Sequence, residues 1–191
     1  GFHHAFPDHG EGFCFINDVA VAVRAAQARG LIRRAAVIDC DLHQGNGTAA
    51  VFADDPDVFT FSIHQELLYP VPKQRSDLDV GLDPMTDDDT YLAHLEDHVP
   101  RILARHRPEL VLYVAGADPY EGDQLGDLAL TRDGLARRDR LVLGAARQAG
   151  VPVAAVVAGG YATGVDDVVD IHLATCRILC ELWDTPLERT V

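Results

Sequence analysis

The sequence is short of cysteine, of positive charge and of long apolar runs. Its four cysteines, Cys14, Cys40, Cys176 and Cys180, form no CxxC pair. They read as reduced, partly buried thiols of a cytoplasmic protein rather than a disulfide framework. Lysine and arginine total 16 against 30 aspartates and glutamates, a net charge of −14. So acidic a surface argues against direct nucleic-acid binding through backbone phosphates, and leaves a basic peptide open as substrate. No apolar run is long enough to span a membrane, and no signal peptide, repeat or low-complexity segment is visible. The chain does not begin with Met and its first residues already carry chemistry, so it is expected to be a segment of a longer protein. Its 191 residues, 48% hydrophobic and 24% charged, suit a single domain over residues 1–191 with a sizeable core.

The stretch that organises the rest is AAVIDCDLHQGNGT, Ala35 to Thr48. It begins as a buried strand and ends in polar chemistry. Asp39, Asp41 and His43 alternate, so on a strand their side chains share one face. Carboxylate oxygen and imidazole nitrogen form a ligand set for a divalent metal such as zinc. The plainer alternative is that these groups close a strand and that Thr48 caps the following helix.

Strands are predicted over 35–38, 58–63, 110–114 and 151–157. Helices are predicted over 19–29 (capped by Asn17 or Asp18 and stopped by Gly30), 48–53, 87–106, 131–148 and 165–183. Pro100 should kink or break the third of these, and residues 65–86 read as one long loop. Strands that alternate with helices and run continuously apolar indicate a parallel sheet covered on both faces. Ligands of such sheets bind beyond the carboxyl ends of the strands. Here those ends carry Asp39/Asp41/His43, His64, Asp118 and Gly159-Gly160-Tyr161, which gathers the polar groups at one rim.

Asp118 is the natural third ligand, with a turn aspartate before Pro119 as the alternative. Gly45 and Tyr120 occupy the next in-phase positions, so the pattern favours one metal over two. His3-His4 reads as a tag remnant, a surface pair or a catalytic pair. Tyr161 could donate to a developing oxyanion or simply pack. Gly12, Phe13 and Leu125 could line a narrow channel or form satellite core. His64, His94, His98, His106 and His172 read as structural.

Five motifs in order then carry a resemblance: GFHH (Gly1–His4), GFC (Gly12–Cys14), DCDLHQGNG (Asp39–Gly47), AGADPYEGDQLG (Ala115–Gly126) and GGY (Gly159–Tyr161). Together they resemble the zinc-dependent histone deacetylases, most closely class IV and its bacterial relatives. The resemblance implies the arginase/deacetylase fold, a three-layer α/β/α arrangement with a mainly parallel sheet. It implies zinc on Asp41, His43 and Asp118, proton transfer by His3 and His4 with Asp39 behind the first, and a carbonyl hydrogen bond from Tyr161. Asn46 stands where class I enzymes place a second carboxylate, so His4 is expected to have a neutral partner. Asp39, Asp41, His43, Ser62 and Ile63 match a structural potassium site. Gly12, Phe13, Leu125, Gly159 and Gly160 match substrate-contacting positions. Tyr69-Pro70 resembles another wall element, with Val71 where the family has glycine. The implied activity is removal of acetyl or longer acyl groups from protein lysines. The same chemistry on an acetylpolyamine, or a non-catalytic binding module on this fold, are the alternatives. The family's domain has earlier strands and a loop, so this chain is expected to lack an N-terminal part. Alone it is expected to be poorly stable, with nothing ahead of Gly1 to anchor His3 and His4.

Overall fold

The computed structural model describes residues 1–184. Apolar, β-branched runs become strands: β1 (Ala35–Asp39), β2 (Val58–Gln65), β3 (Leu78–Leu82), β4 (Leu110–Ala115) and β5 (Val153–Val157). All neighbouring pairs are parallel, in the order β3-β2-β1-β4-β5. β1 is central and buried at every position. Because side chains alternate on a strand, β1 feeds two cores. Ala36 and Ile38, with Cys40 and Leu42 beyond, face one cluster, and Ala35 and Val37 face the other.

The helices form the outer layers. On one side α1 (Asp18–Ala28) contributes Val19, Ala20 and Val23, and α2 (Asn46–Phe52) contributes Phe52. On the other, α3 (Asp88–His106), α4 (Arg132–Gln148) and α5 (Val165–Asp184) bury Leu95 and Val99, Leu135 and Val142, and Ile171 and Ile178. Each fully buried aliphatic side chain contributes about 1.5–3 kcal/mol. Asn17 caps α1 as expected, and α3 and α4 carry side-chain caps of the same kind. Asn17, Asp87 and Thr131 accept from Ala20, Thr90 and Gly134 backbone N–H groups, and Gly30 follows α1 with φ +66°.

Several expectations need correction. Residues 65–86 contain β3, a parallel edge strand missed because only Val80 and Leu82 are buried, among Asp79 and Gly81. α3 runs through Pro100 without a break. Pro100 sits on the solvent face, where water can satisfy the carbonyl left unpaired one turn earlier. Thr48 does not cap α2, which begins at Asn46 with Gly45 as an N-cap that makes no side-chain bond. Thr48 lies inside the helix, and its N–H donates 3.0 Å to the His3 carbonyl, filling one of the donors a helix start leaves open. β5 is shorter than predicted and half-exposed rather than buried on both faces. It is the last strand of the sheet among the described residues, and Val157 is 52% exposed. All four cysteines are free. Cys14 and Cys40 are buried, and Cys176 and Cys180 are exposed rather than partly buried. Among the described residues no helix is long and apolar enough to cross a membrane.

Candidate metal centre and proton-transfer pair

The carboxyl ends of β1 and β4 meet at one point. Asp41 and His43 continue the alternation of β1 past Asp39, and Asp118 follows β4 by three residues. One ligand atom from each of Asp41, His43 and Asp118 lies within 4.8 Å of the other two. His43 Nδ1 is 3.1 Å from Asp118 Oδ2 and 3.3 Å from Asp41 Oδ1. Main-chain donors aim both carboxylates. The His43 and Gly159 N–H groups donate to Asp41 at 2.9 and 2.8 Å, and the Leu42 N–H donates to Asp118 at 3.0 Å. All three residues are at most 8% exposed.

Two oxygens and a nitrogen converging in a buried site fit a divalent cation with a position left open. Burial and the neighbouring Asp41 push Asp118 up to about 7. Burial opposes protonation of His43, yet hydrogen bonding to Asp118 and Asp41 takes it up to about 10. Two carboxylates sharing one buried imidazole thus attract positive charge. The Gly159 backbone closes over the site. A Cβ there would lie 2.0 Å from Asp118 Oδ2 and 2.8 Å from Asp41 Oδ2.

His3 and His4 stand beside this centre, 3% and 5% exposed, with ring centroids 4.1 Å apart. Their segment is tied down. The Phe2 N–H donates to Asp18 at 2.7 Å, and Asn17 Nδ2 donates to the Ala5 carbonyl and to Thr48 Oγ1 at 3.2 and 3.0 Å. The two imidazoles face unlike partners. His3 Nδ1 is 2.8 Å from Asp39 Oδ2, whose other oxygen accepts from the Asp41 N–H at 3.1 Å. His4 Nδ1 is 2.7 Å from Asn46 Oδ1. Burial alone would lower His3, but Asp39 and Asp41 raise it to about 9. Burial and then the charge of His3 lower His4 to about 3.

The same cavity, about 620 Å³, is lined by His3, His4, Asp41, His43, Phe13 and Tyr161. Gly159-Gly160 turns the chain from β5 to Tyr161, and burial followed by Asp118 and Asp41 raises the phenol to about 12. Gly12 (φ +51°) and Phe13 (φ +64°) form a tight turn closed by reciprocal bonds between Glu11 and Cys14 at 2.9 and 2.7 Å. A Cβ on Gly12 would meet His4 Cδ2 at 2.4 Å. Phe13 is 79% exposed, 6.3 Å from the Tyr161 ring. Leu125 is exposed in the loop after β4 and does not line this cavity. Ser62 pairs in register with Asp39, and its hydroxyl is 2.9 Å from His64 Nδ1. Ile63 is fully buried on β2.

Several supporting residues go unnoticed in the sequence. Arg138 of α4 is fully buried. It donates to the Gly116 and Cys40 carbonyls at 2.6 and 3.3 Å, bracing both ligand-bearing strand ends, and to Asp139 at 2.8 Å. Asp123 accepts from the Tyr161 N–H at 2.6 Å, and Gln124 donates to the Tyr161 carbonyl at 2.7 Å. Glu11 accepts from Asn46 Nδ2 at 3.0 Å and from the Tyr69 hydroxyl at 2.5 Å. The polar EGDQLG run could have flagged Asp123. Nothing local marks Arg138 on an amphipathic helix.

The histone deacetylase domain model matches residues 1–176. An uncharacterised protein of Picosynechococcus sp. is 54% identical over 172 residues, 90% of this chain and 57% of its own length. A histone deacetylase-like amidohydrolase of Pseudomonas aeruginosa is 36% identical over 83% of this chain and 45% of its own. Among solved structures, an acetylpolyamine aminohydrolase from Burkholderia pseudomallei superposes with a TM-score of 0.82 at 26% identity, over 94% of this chain and 54% of that one. This chain therefore spans about half the length of the relatives it matches. Its parallel five-stranded sheet between helical layers is the arginase/deacetylase fold. A domain model that takes in nearly the whole chain, laid over a buried Asp-His-Asp cluster beside paired histidines, makes this chain a member of the histone deacetylase family.

Proposed function

We propose that the protein of which this chain forms part or all is a zinc-dependent hydrolase that removes acyl groups from lysine side chains of proteins or peptides. The observation that carries the reading is the convergence of Asp41, His43 and Asp118 within 4.8 Å, with Asp41 and His43 opening on a cavity also lined by His3, His4 and Tyr161. These three residues would hold the zinc, which when bound polarises a carbonyl and acidifies a water.

The remaining work falls to the chain's own side chains. His4, with a neutral amide partner, keeps a free Nε2 lone pair and takes the proton of the attacking water. His3, backed by the Asp39 carboxylate, is held as an imidazolium and gives a proton to the departing lysine amine, otherwise a very poor leaving group. Tyr161 stays protonated at neutral pH and donates its hydroxyl to the oxyanion as the amide carbon becomes tetrahedral. Gly159, Gly160, Gly12 and Phe13, which line the cavity, would shape the path of a thin acyl-lysine chain, with Leu125 standing outside it. Asp39, Asp41, His43, Ser62 and Ile63 would hold a structural potassium ion, partly through main-chain oxygens. The acidic surface disfavours nucleic acid as a partner, and four free cysteines suit a cytoplasmic protein.

One observation favours a second substrate, an acetylated small molecule: the similarity to the acetylpolyamine aminohydrolase of Burkholderia pseudomallei. The test is an assay of the intact protein against acetyl- and longer acyl-lysine peptides beside acetylpolyamines. Turnover of peptides with little on polyamines is expected. The reverse ranking would move the reading to the small-molecule class. No turnover with zinc bound would make the protein a binding module.

A further inference from the structure

The two histidines differ in what lies behind them. Asp39 is a carboxylate and only accepts, so it demands an N–H on His3 Nδ1. Asn46 can present either its oxygen or its nitrogen to His4, and the two orientations demand opposite tautomers of the ring. With oxygen towards His4, Nδ1 carries the proton and Nε2 is free to accept one. With the amide turned over, Nε2 carries the proton and the ring cannot act as a base.

Glu11 removes this ambiguity. Its Oε1 lies 3.0 Å from Asn46 Nδ2, and a carboxylate can only accept, so the amide must put its N–H towards Glu11 and its oxygen towards His4, 2.7 Å away. The Tyr69 hydroxyl donates to the same Oε1 at 2.5 Å. Hydrogen bonding from Tyr69 and burial act in opposite directions on Glu11, and with Asn46 adding to Tyr69 the carboxyl is held below its usual range, as an acceptor. The other facing charge is His9, whose Nε2 is 3.5 Å from Oε2. The turn over Gly12-Phe13 fixes Glu11 through its own backbone bonds to Cys14.

We propose that Glu11 is a positioning residue: through Asn46 it locks His4 in the tautomer that protonates Nδ1 and leaves Nε2 as the proton acceptor. The inference rests on reading His4 as the base, and the carboxylate next to His3 is thereby reproduced for His4 at one remove.

The test uses the intact, zinc-loaded protein with ¹⁵N-labelled histidine. Long-range ¹H–¹⁵N spectra read the His4 tautomer, with its signals assigned by their loss in His4→Ala. In Glu11→Leu the Nδ1–H form should give way to a mixture. Turnover should fall about tenfold with KM within about twofold, a part of the 10²–10⁴-fold a positioned base contributes. Glu11→Gln still offers an oxygen to Asn46 and should restore the tautomer and most of the turnover. In an Asn46→Asp background no amide remains to be turned, so the added cost of Glu11→Leu should vanish. An unchanged tautomer in Glu11→Leu, no rescue by Gln, or an equal cost in both backgrounds would each overturn the proposal. If the protein proves not to be a deacylase, the spectra still decide the role of Glu11, because they require no substrate.

Discussion

The floor of the site and its rim are built by different rules. At the floor, Asp41, His43 and Asp118 are buried, aimed by main-chain N–H groups, and braced from behind by Arg138. At the rim, Phe13 is 79% and Leu125 41% exposed, and the Tyr69 ring rests edge-on against His4 and His43 with its hydroxyl on Glu11. Backbone geometry tolerates no substitution at the floor without moving a ligand. Rim side chains can change while the strands beneath stay put. On the proposed function, chemistry would therefore be set by the part of the molecule most locked into the sheet, and substrate choice by the part least locked.

If that contrast holds, damage should grade from floor to rim. The largest effect is expected for Asp118→Ala in the intact protein. Bound zinc should fall from one ion per chain to nearly none, and turnover by about a thousandfold or more, because the Lewis acid is lost. Two tightly held divalent ions in the wild type would break the one-metal reading. Gly159→Ala should come close behind. Its Cβ would need to occupy space 2.0 Å from Asp118 Oδ2, so zinc affinity and melting temperature should drop together. A variant with normal zinc content would show that the floor can shift after all.

Tyr161→Phe stands between floor and rim. It should keep fold and metal and lose roughly a hundredfold in turnover, the scale for one oxyanion donor. Arg138→Met tests the bracing. Asp139 would keep its hydrogen bonds from the Tyr113 and Thr175 hydroxyls but lose its buried counter-charge, which should cost about 3 kcal/mol in a denaturant titration, and a near-neutral change would remove Arg138 from the floor. At the rim, Phe13→Ala should alter KM by about two- to fivefold, a single partly exposed contact being worth under about 1 kcal/mol, with kcat nearly unchanged. A large loss of kcat would erase the distinction.

Much of the floor was legible in the chain because strand alternation is a local rule. Asp39, Asp41 and His43 share a face whatever surrounds them, and an apolar run ending in acids marks a central parallel strand. The alternation of apolar strands with helices carried the sheet class, and the five motifs carried the family. β3 escaped because an edge strand buries only alternate residues, and the half-exposed β5 was misjudged because a run of valines looks the same at an edge as at the centre. Thr48 looked like a helix cap because nothing local reveals that the His3 carbonyl, 45 residues away, meets its N–H. The sequence by itself determined which polar side chains leave the strand ends and in what phase. Only the tertiary structure decided who stands behind them. The partnership of Glu11 with Asn46, of Arg138 with two strand-end carbonyls, and of Asp123 with Tyr161 joins residues 35, 22 to 98, and 38 positions apart, a range over which local periodicity carries no information.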